Sequence, residues 1–173
     1  MGSALAALAL TTPAQAASPY CGITWGSVDR HGSPAGPGAT VTDLRAGRHA
    51  CYDRLVIDLQ GTPAFNSWSV TYVDQVREDP SDRPVALRGG AFLLITLHSA
   101  DGGSAYDPAN PRELVNVTGY RTFRQVARTG AFEGVASLGL GVRAHLPFRV
   151  VTLPGIPGTS NGTRVAIDVA HAW

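Results

Sequence analysis

The sequence predicts an all-β chain, an antiparallel β-sandwich with few or no helices. Three observations carry this. Short apolar stretches of strand length recur from residue 51 onward, the first two alternating with a period of two. They are separated by turn formers: 20 Gly and 12 Pro in 173 residues suit many connections between short strands better than long helices. No run of a dozen residues places its apolar side chains at helical spacing.

In chain order, residues 53–59 alternate, with Leu55, Ile57 and Leu59 on one face and Arg54, Val56 and Asp58 on the other. Gly61 and Pro63 end that strand. Residues 68–76 alternate through Trp68, Val70, Tyr72 and Val76, and the Trp68 face is expected in the core. Residues 92–97 are continuously apolar, as in a strand buried on both faces. A short strand is expected at 115–117, then others at 125–131, 136–144, 148–153 and 164–171. Gly139 and Gly141 share one strand face, which permits close approach of another backbone. One internal echo stands out. Arg54 and Asp58 on one strand match Arg164 and Asp168 on another, so neighbouring placement would allow cross-strand Arg–Asp pairs.

Composition narrows the class. Charged residues are 16% of the chain against about 25% in a typical globular protein. With 44% hydrophobic residues, this excludes a disordered chain. All 14 basic residues are Arg, and the net charge of +1 makes no case for nucleic acid or a polybasic membrane anchor. Residues 1–17 read as a signal peptide with a truncated n-region. An apolar run at 4–10 precedes small residues suited to cleavage after Ala16 or Ala17, but no Arg comes before Arg30. The run is too short for a transmembrane segment. Residues 18–46 follow as a Gly/Pro-rich lead segment, and 47–173 as the sandwich domain.

Export sets the reading of Cys21 and Cys51, the two cysteines of the chain. In an oxidising compartment they form a disulfide that ties the lead segment to the first clear strand. Catalysis is the competing reading, but Thr24 stands where a papain-type nucleophile would be. Zinc binding competes too, but no CxxC spacing supports it.

Catalytic constellations are not evident, and neither a cofactor nor a metal is expected. There is no G-x-S-x-G elbow and no H-E-x-x-H. His98, Ser99 and Asp101 are close in sequence, but adjacent strand residues point to opposite faces. A zinc site from His98, His145 and His171 is the remaining metal reading. The best binding candidate is the stretch 120–128, where Tyr120, Arg121, Phe123, Arg124 and Arg128 interleave aromatic rings with guanidinium groups. Such groups recognise carboxylates bidentately, and rings stack on sugars. The opposing reading puts the rings in the core, with the Arg heads solvated on buried stems.

Several stretches together resemble the AMIN-like domain proteins of actinobacterial cell envelopes. They are residues 47–59, 72–76, Leu87-Arg88-Gly89-Gly90 with 91–93, and Gly119-Tyr120-Arg121-Thr122-Phe123-Arg124-Gln125-Val126. The set continues with Leu138-Gly139-Leu140-Gly141-Val142-Arg143, residues 147–150 and Asp168-Val169-Ala170-His171. The resemblance is related to the AMIN module of cell-wall amidases and secretion proteins. It implies a β-sandwich outside the cytoplasm, associated with the envelope, non-catalytic, with peptidoglycan or an attached wall polymer as ligand. Two alternatives stand beside it: an interaction partner of division or secretion machinery without wall affinity, and a hydrolase with a cryptic metal site.

Overall fold

Alternation over residues 53–59 becomes β3 (Tyr52–Gln60). Its Asp53, Leu55, Ile57 and Leu59 are buried on one face, and Tyr52, Arg54, Val56 and Asp58 lie on the other. The later apolar stretches become β4 (Trp68–Val73), β5 (Ala91–His98), β6 (Phe123–Phe132), β7 (Val135–Val142), β8 (Phe148–Leu153) and β9 (Arg164–Ala170). Two strands precede them, β1 (Arg30–His31) and β2 (Thr40–Arg48). The computed structural model describes residues 19–33, 36, 38–61, 65–100, 106–156 and 162–173. The signal peptide expected at 1–17 lies outside the described residues, as does Asp101. Among the described residues there is no helix, and hence none long and apolar enough to cross a membrane.

The strands form two antiparallel sheets, one of five in the order β1-β4-β5-β7-β6 and one of four in the order β2-β3-β9-β8. Their inner faces share one core. The four-stranded sheet contributes Leu55, Ile57, Phe148, Val165 and Ile167; the five-stranded sheet contributes Val70, Leu93, Ile95, Leu138 and Leu140. This is the predicted sandwich. Trp68 packs against the core half-buried, its indole N–H donating to Thr152 Oγ1 at 3.2 Å. The predicted disulfide joins Cys21 to Cys51.

Three local expectations are corrected. Residues 40–46, assigned by composition to the lead segment, form most of β2 and pair with β3. A bulge between Val41 and Asp43 hides this strand, because Val41 and Leu44 are both buried although three apart, which unbroken alternation forbids. Residues 115–117 form no strand. Asn116 Oδ1 accepts the Thr118 N–H at 3.0 Å and the Val117 carbonyl accepts the Tyr120 N–H at 3.1 Å, which turns the chain there. Nor is β5 sealed on both faces: Leu93, Ile95 and Leu97 are buried, while Phe92, Leu94 and Thr96 are half-buried. The doubly buried strand is β7. Its Leu138, Leu140 and Val142 enter the core, and its other face is covered at Gly139 by Leu87 and at Gly141 by the Arg88 carbonyl, which lies where a Cβ would be.

Candidate functional site

The stretch 120–128 runs into β6, and the structure divides it between core and surface. A bulge between Phe123 and Gln125 breaks the alternation, so Phe123 and Val126 both enter the core. Phe123 is 1% exposed, which takes it out of any surface binding role. Half-buried Tyr120 stacks on it with centroids 5.9 Å apart, and the Arg48 guanidinium lies 5.7 Å from the Tyr120 ring centre. Arg124 turns back on its own chain, donating to the carbonyls of Phe123 at 2.8 Å, Tyr120 at 3.2 Å and Arg121 at 3.3 Å. Arg128 donates to the Tyr106 carbonyl at 3.0 Å. Arg121 is exposed. A depression of about 330 Å³ lies beside Tyr120, but its Arg88 is held bidentately by Glu113, at 2.5 and 2.9 Å. That pair keeps the Glu113 carboxyl below the usual range. The bonding pattern predicts different losses for two neighbours. Arg124→Ala should cost about 1–2 kcal/mol of stability, because three carbonyls lose a charged donor. Arg121→Ala should stay within about 0.5 kcal/mol, as surface changes do. Urea unfolding of both variants checks this.

A second collection of arginines lies on the outer face of the four-stranded sheet. The two echo strands are β3 and β9, antiparallel neighbours, with Arg54 opposite Asp168 and Asp58 opposite Arg164. The first pair forms: Arg54 grips Asp168 bidentately at 2.5 and 2.8 Å. From β8, Arg149 Nε donates to the same carboxylate at 2.8 Å. Asp168 is fully buried beneath them, and the hydrogen bond to it raises the Arg54 pKa above its ordinary value. The second pair does not form. Asp58 is taken by Arg45 of β2, bidentately at 2.7 and 2.8 Å, which likewise raises the Arg45 pKa. Among the described residues the Arg164 side chain has no hydrogen-bond or ion-pair partner. Four arginines stand here against three aspartates, Asp58, Asp168 and the exposed Asp43 that register sets opposite Asp58, so this face keeps one positive charge in surplus.

Aromatic rings close one end of that face. Tyr52 lies under Arg54 and Arg149, whose guanidinium carbons are 5.3 and 5.4 Å from its ring centre. His49 stacks on Tyr52 at 4.5 Å, and Trp25 meets it at 5.8 Å while lying 5.4 Å from Arg149. Trp25 belongs to the segment that the Cys21–Cys51 disulfide fastens, and next to it Phe148 donates its N–H to the Gly26 carbonyl at 2.7 Å. Two depressions, of about 500 and 260 Å³, share Arg45 and Arg164; the smaller runs back toward the aromatic end, to Arg54 and His49.

The matched region coincides with this architecture: a family model described as the AMIN-like domain matches residues 39–171, more than half of the chain. The chain belongs to the AMIN-like domain family. No curated protein and no solved structure matches it. The match takes in β2 to β9 and leaves out Cys21 and Trp25, so the disulfide fastens a segment that precedes the AMIN-like domain across the domain's own sheet.

Of the three histidines considered for zinc, His98 is exposed at the end of β5, while His145 and His171 have structural partners. His145 stacks on Tyr72 with centroids 3.9 Å apart. Tyr72 exchanges two hydrogen bonds with the Leu146 backbone, and its burial pushes the phenol up to about 12. His171 sits on Asp53 at 3.1 Å and beside the Ala50 carbonyl at 3.2 Å. Among the described residues no three His, Cys, Asp or Glu side chains gather as metal ligands would. Sequence reasoning saw the Arg54 and Asp168 echo but not the face built on it. Arg45, Arg149 and Trp25 reach that face from β2, β8 and the segment before β1, and no linear spacing joins them to Arg54.

Proposed function

We propose that this AMIN-like domain is a non-catalytic cell-envelope module that binds peptidoglycan or an attached wall polymer through the outer face of its four-stranded sheet. One observation carries the reading: a sheet face that gathers four arginines, one of them without an acidic partner, bordered by aromatic rings. Guanidinium groups suit the carboxylates and phosphates of wall polymers, and rings suit their sugars. Family membership points to the envelope, and the Cys21–Cys51 disulfide fits an oxidising, extracytoplasmic location.

Retention of the purified protein on isolated cell walls tests this. The protein should be retained above a charge-matched control at low salt, and less so as salt screens the contact. Arg164→Glu should lower retention at least several-fold, whereas Arg121→Glu at the 120–128 stretch should leave it within twofold. Equal retention of the wild type and the control overturns wall binding and favours a protein partner in the envelope. Loss at Arg121 with none at Arg164 moves the site to the stretch beside Tyr120.

A further inference from the structure

We infer that the depression at Arg164 binds the free carboxylate of a short peptide whose neighbouring side chains are small and apolar. This rests on the wall-polymer reading and names the chemistry of its ligand. Arg164 is the decisive group. Its cross-strand neighbour Asp58 is the natural partner by register, but Arg45 already holds both Asp58 oxygens. A planar guanidinium is thereby left unpartnered on a sheet face, where it can meet an oxyanion through two parallel N–H bonds.

The surroundings select among oxyanions. In the depression of about 260 Å³, Arg45, Arg54 and Arg164 surround Val56, Leu153 and Ala166, and no carboxylate is among the lining residues. Val56 and Ala166 face each other directly across β3 and β9, so the floor between the arginines is apolar. An anion seated there is partly shielded from water, which strengthens its contact with Arg164. The same floor favours a ligand carrying methyl-sized groups beside its charge. A polyol phosphate, polar along its whole length, would press hydroxyls onto Val56 and Leu153 and leave them without partners. The larger depression continues past Arg164 and the Arg45–Asp58 pair to Pro154 and Ile156, again partly apolar, and gives the rest of a peptide chain a path. Size argues for a short contact, since about 260 Å³ is small for a ligand pocket.

Titration of the whole protein, followed by NMR shifts of the Arg side chains and the Val56 and Leu153 methyl groups, tests the inference. The probes are N-acetyl-alanyl-alanine with a free carboxylate, its C-terminal amide, and glycerol phosphate. The acid should bind saturably, with the amide and glycerol phosphate each at least tenfold weaker. Arg164→Gln should weaken the acid at least tenfold, while Arg83→Gln, an exposed loop arginine, should not. Val56→Glu, which places a competing carboxylate beside the arginines, should abolish binding even if the Arg164 variant proves unstable. Equal binding of acid and amide overturns the inference, as does glycerol phosphate binding as tightly as the acid, or an unchanged affinity in both variants. Wall retention without any acid binding overturns this inference alone; loss of both overturns the wall-polymer reading with it.

Discussion

Asp53→Ala is expected to destabilise the domain by about 3–5 kcal/mol, because it strands two buried backbone donors and one ring at once. Asp53 begins the inward face of β3 and is fully buried. Its Oδ2 accepts the N–H of Thr122 at 2.5 Å and of Phe123 at 3.2 Å, and its Oδ1 meets His171 Nε2 at 3.1 Å. The carboxylate therefore ties the four-stranded sheet to the first residue of β6, an edge strand of the opposite sheet. His171 has acceptors on both sides, the carboxylate and the Ala50 carbonyl, so a ring protonated at both nitrogens satisfies both contacts and a neutral ring satisfies one. With Ala at 53, the Thr122 and Phe123 N–H groups have no protein acceptor in the vacated space, and each costs about 1–3 kcal/mol. Asp53→Asn keeps an oxygen toward those two donors and offers its amide N–H to a neutral His171, so it should lose less than half as much. Urea or thermal unfolding measures both variants, and at this size the Ala variant should melt roughly 6–20 °C lower. A loss below about 1 kcal/mol for Asp53→Ala would mean that water replaces the carboxylate, and the layer-bridging role would fall.

The parts of this fold that were legible in sequence are those where alternation runs unbroken. β3 is legible to within a residue because its buried residues recur strictly every second position, and the apolar runs of β8 and β9 are bounded closely by turn formers. β2 was missed and β6 misjudged for one shared reason. Each carries a bulge, and each thereby buries two apolar residues three apart, Val41 with Leu44 and Phe123 with Val126. The candidate stretch at 120–128 suffered directly from this. A bulge at its start turned Phe123 inward and brought Arg124 back onto its own carbonyls, neither of which composition can reveal. The arginine face was half legible. The Arg and Asp spacing shared by residues 54–58 and 164–168 announced a cross-strand pair, and Arg54 with Asp168 forms it. That Arg45 would capture Asp58 and leave Arg164 unpaired depends on β2 lying beside β3, the pairing that the bulge concealed.

Replacing both Cys21 and Cys51 by Ala is expected to cost about 3–4 kcal/mol on the chain-entropy model, since the bridge closes a loop with a sequence separation of 30. The structural consequence should be local before it is global. Residues 20–26 rest on the four-stranded sheet through a few contacts: the Gly26 carbonyl to the Phe148 N–H, and Trp25 against Tyr52 and Arg149. None of these alone is worth more than about 1–2 kcal/mol, so an uncrosslinked segment competes poorly with the entropy of release. Trp25 should leave the face, and Arg149, with 32% of its side chain exposed, should become more so while keeping its hold on Asp168. Trp fluorescence would shift to the red in the double variant before the main unfolding transition, and the midpoint of that transition would fall. An unchanged Trp signal together with a loss under about 1 kcal/mol would show that the ring contacts hold the segment unaided. The distinction matters for binding. Loss of the disulfide removes Trp25 from the aromatic border but leaves Arg45, Arg54 and Arg164 where β2, β3 and β9 hold them. Wall retention through the arginines should therefore survive the double substitution under conditions where the domain stays folded, and any fall beyond about twofold would assign Trp25 itself a part in the contact.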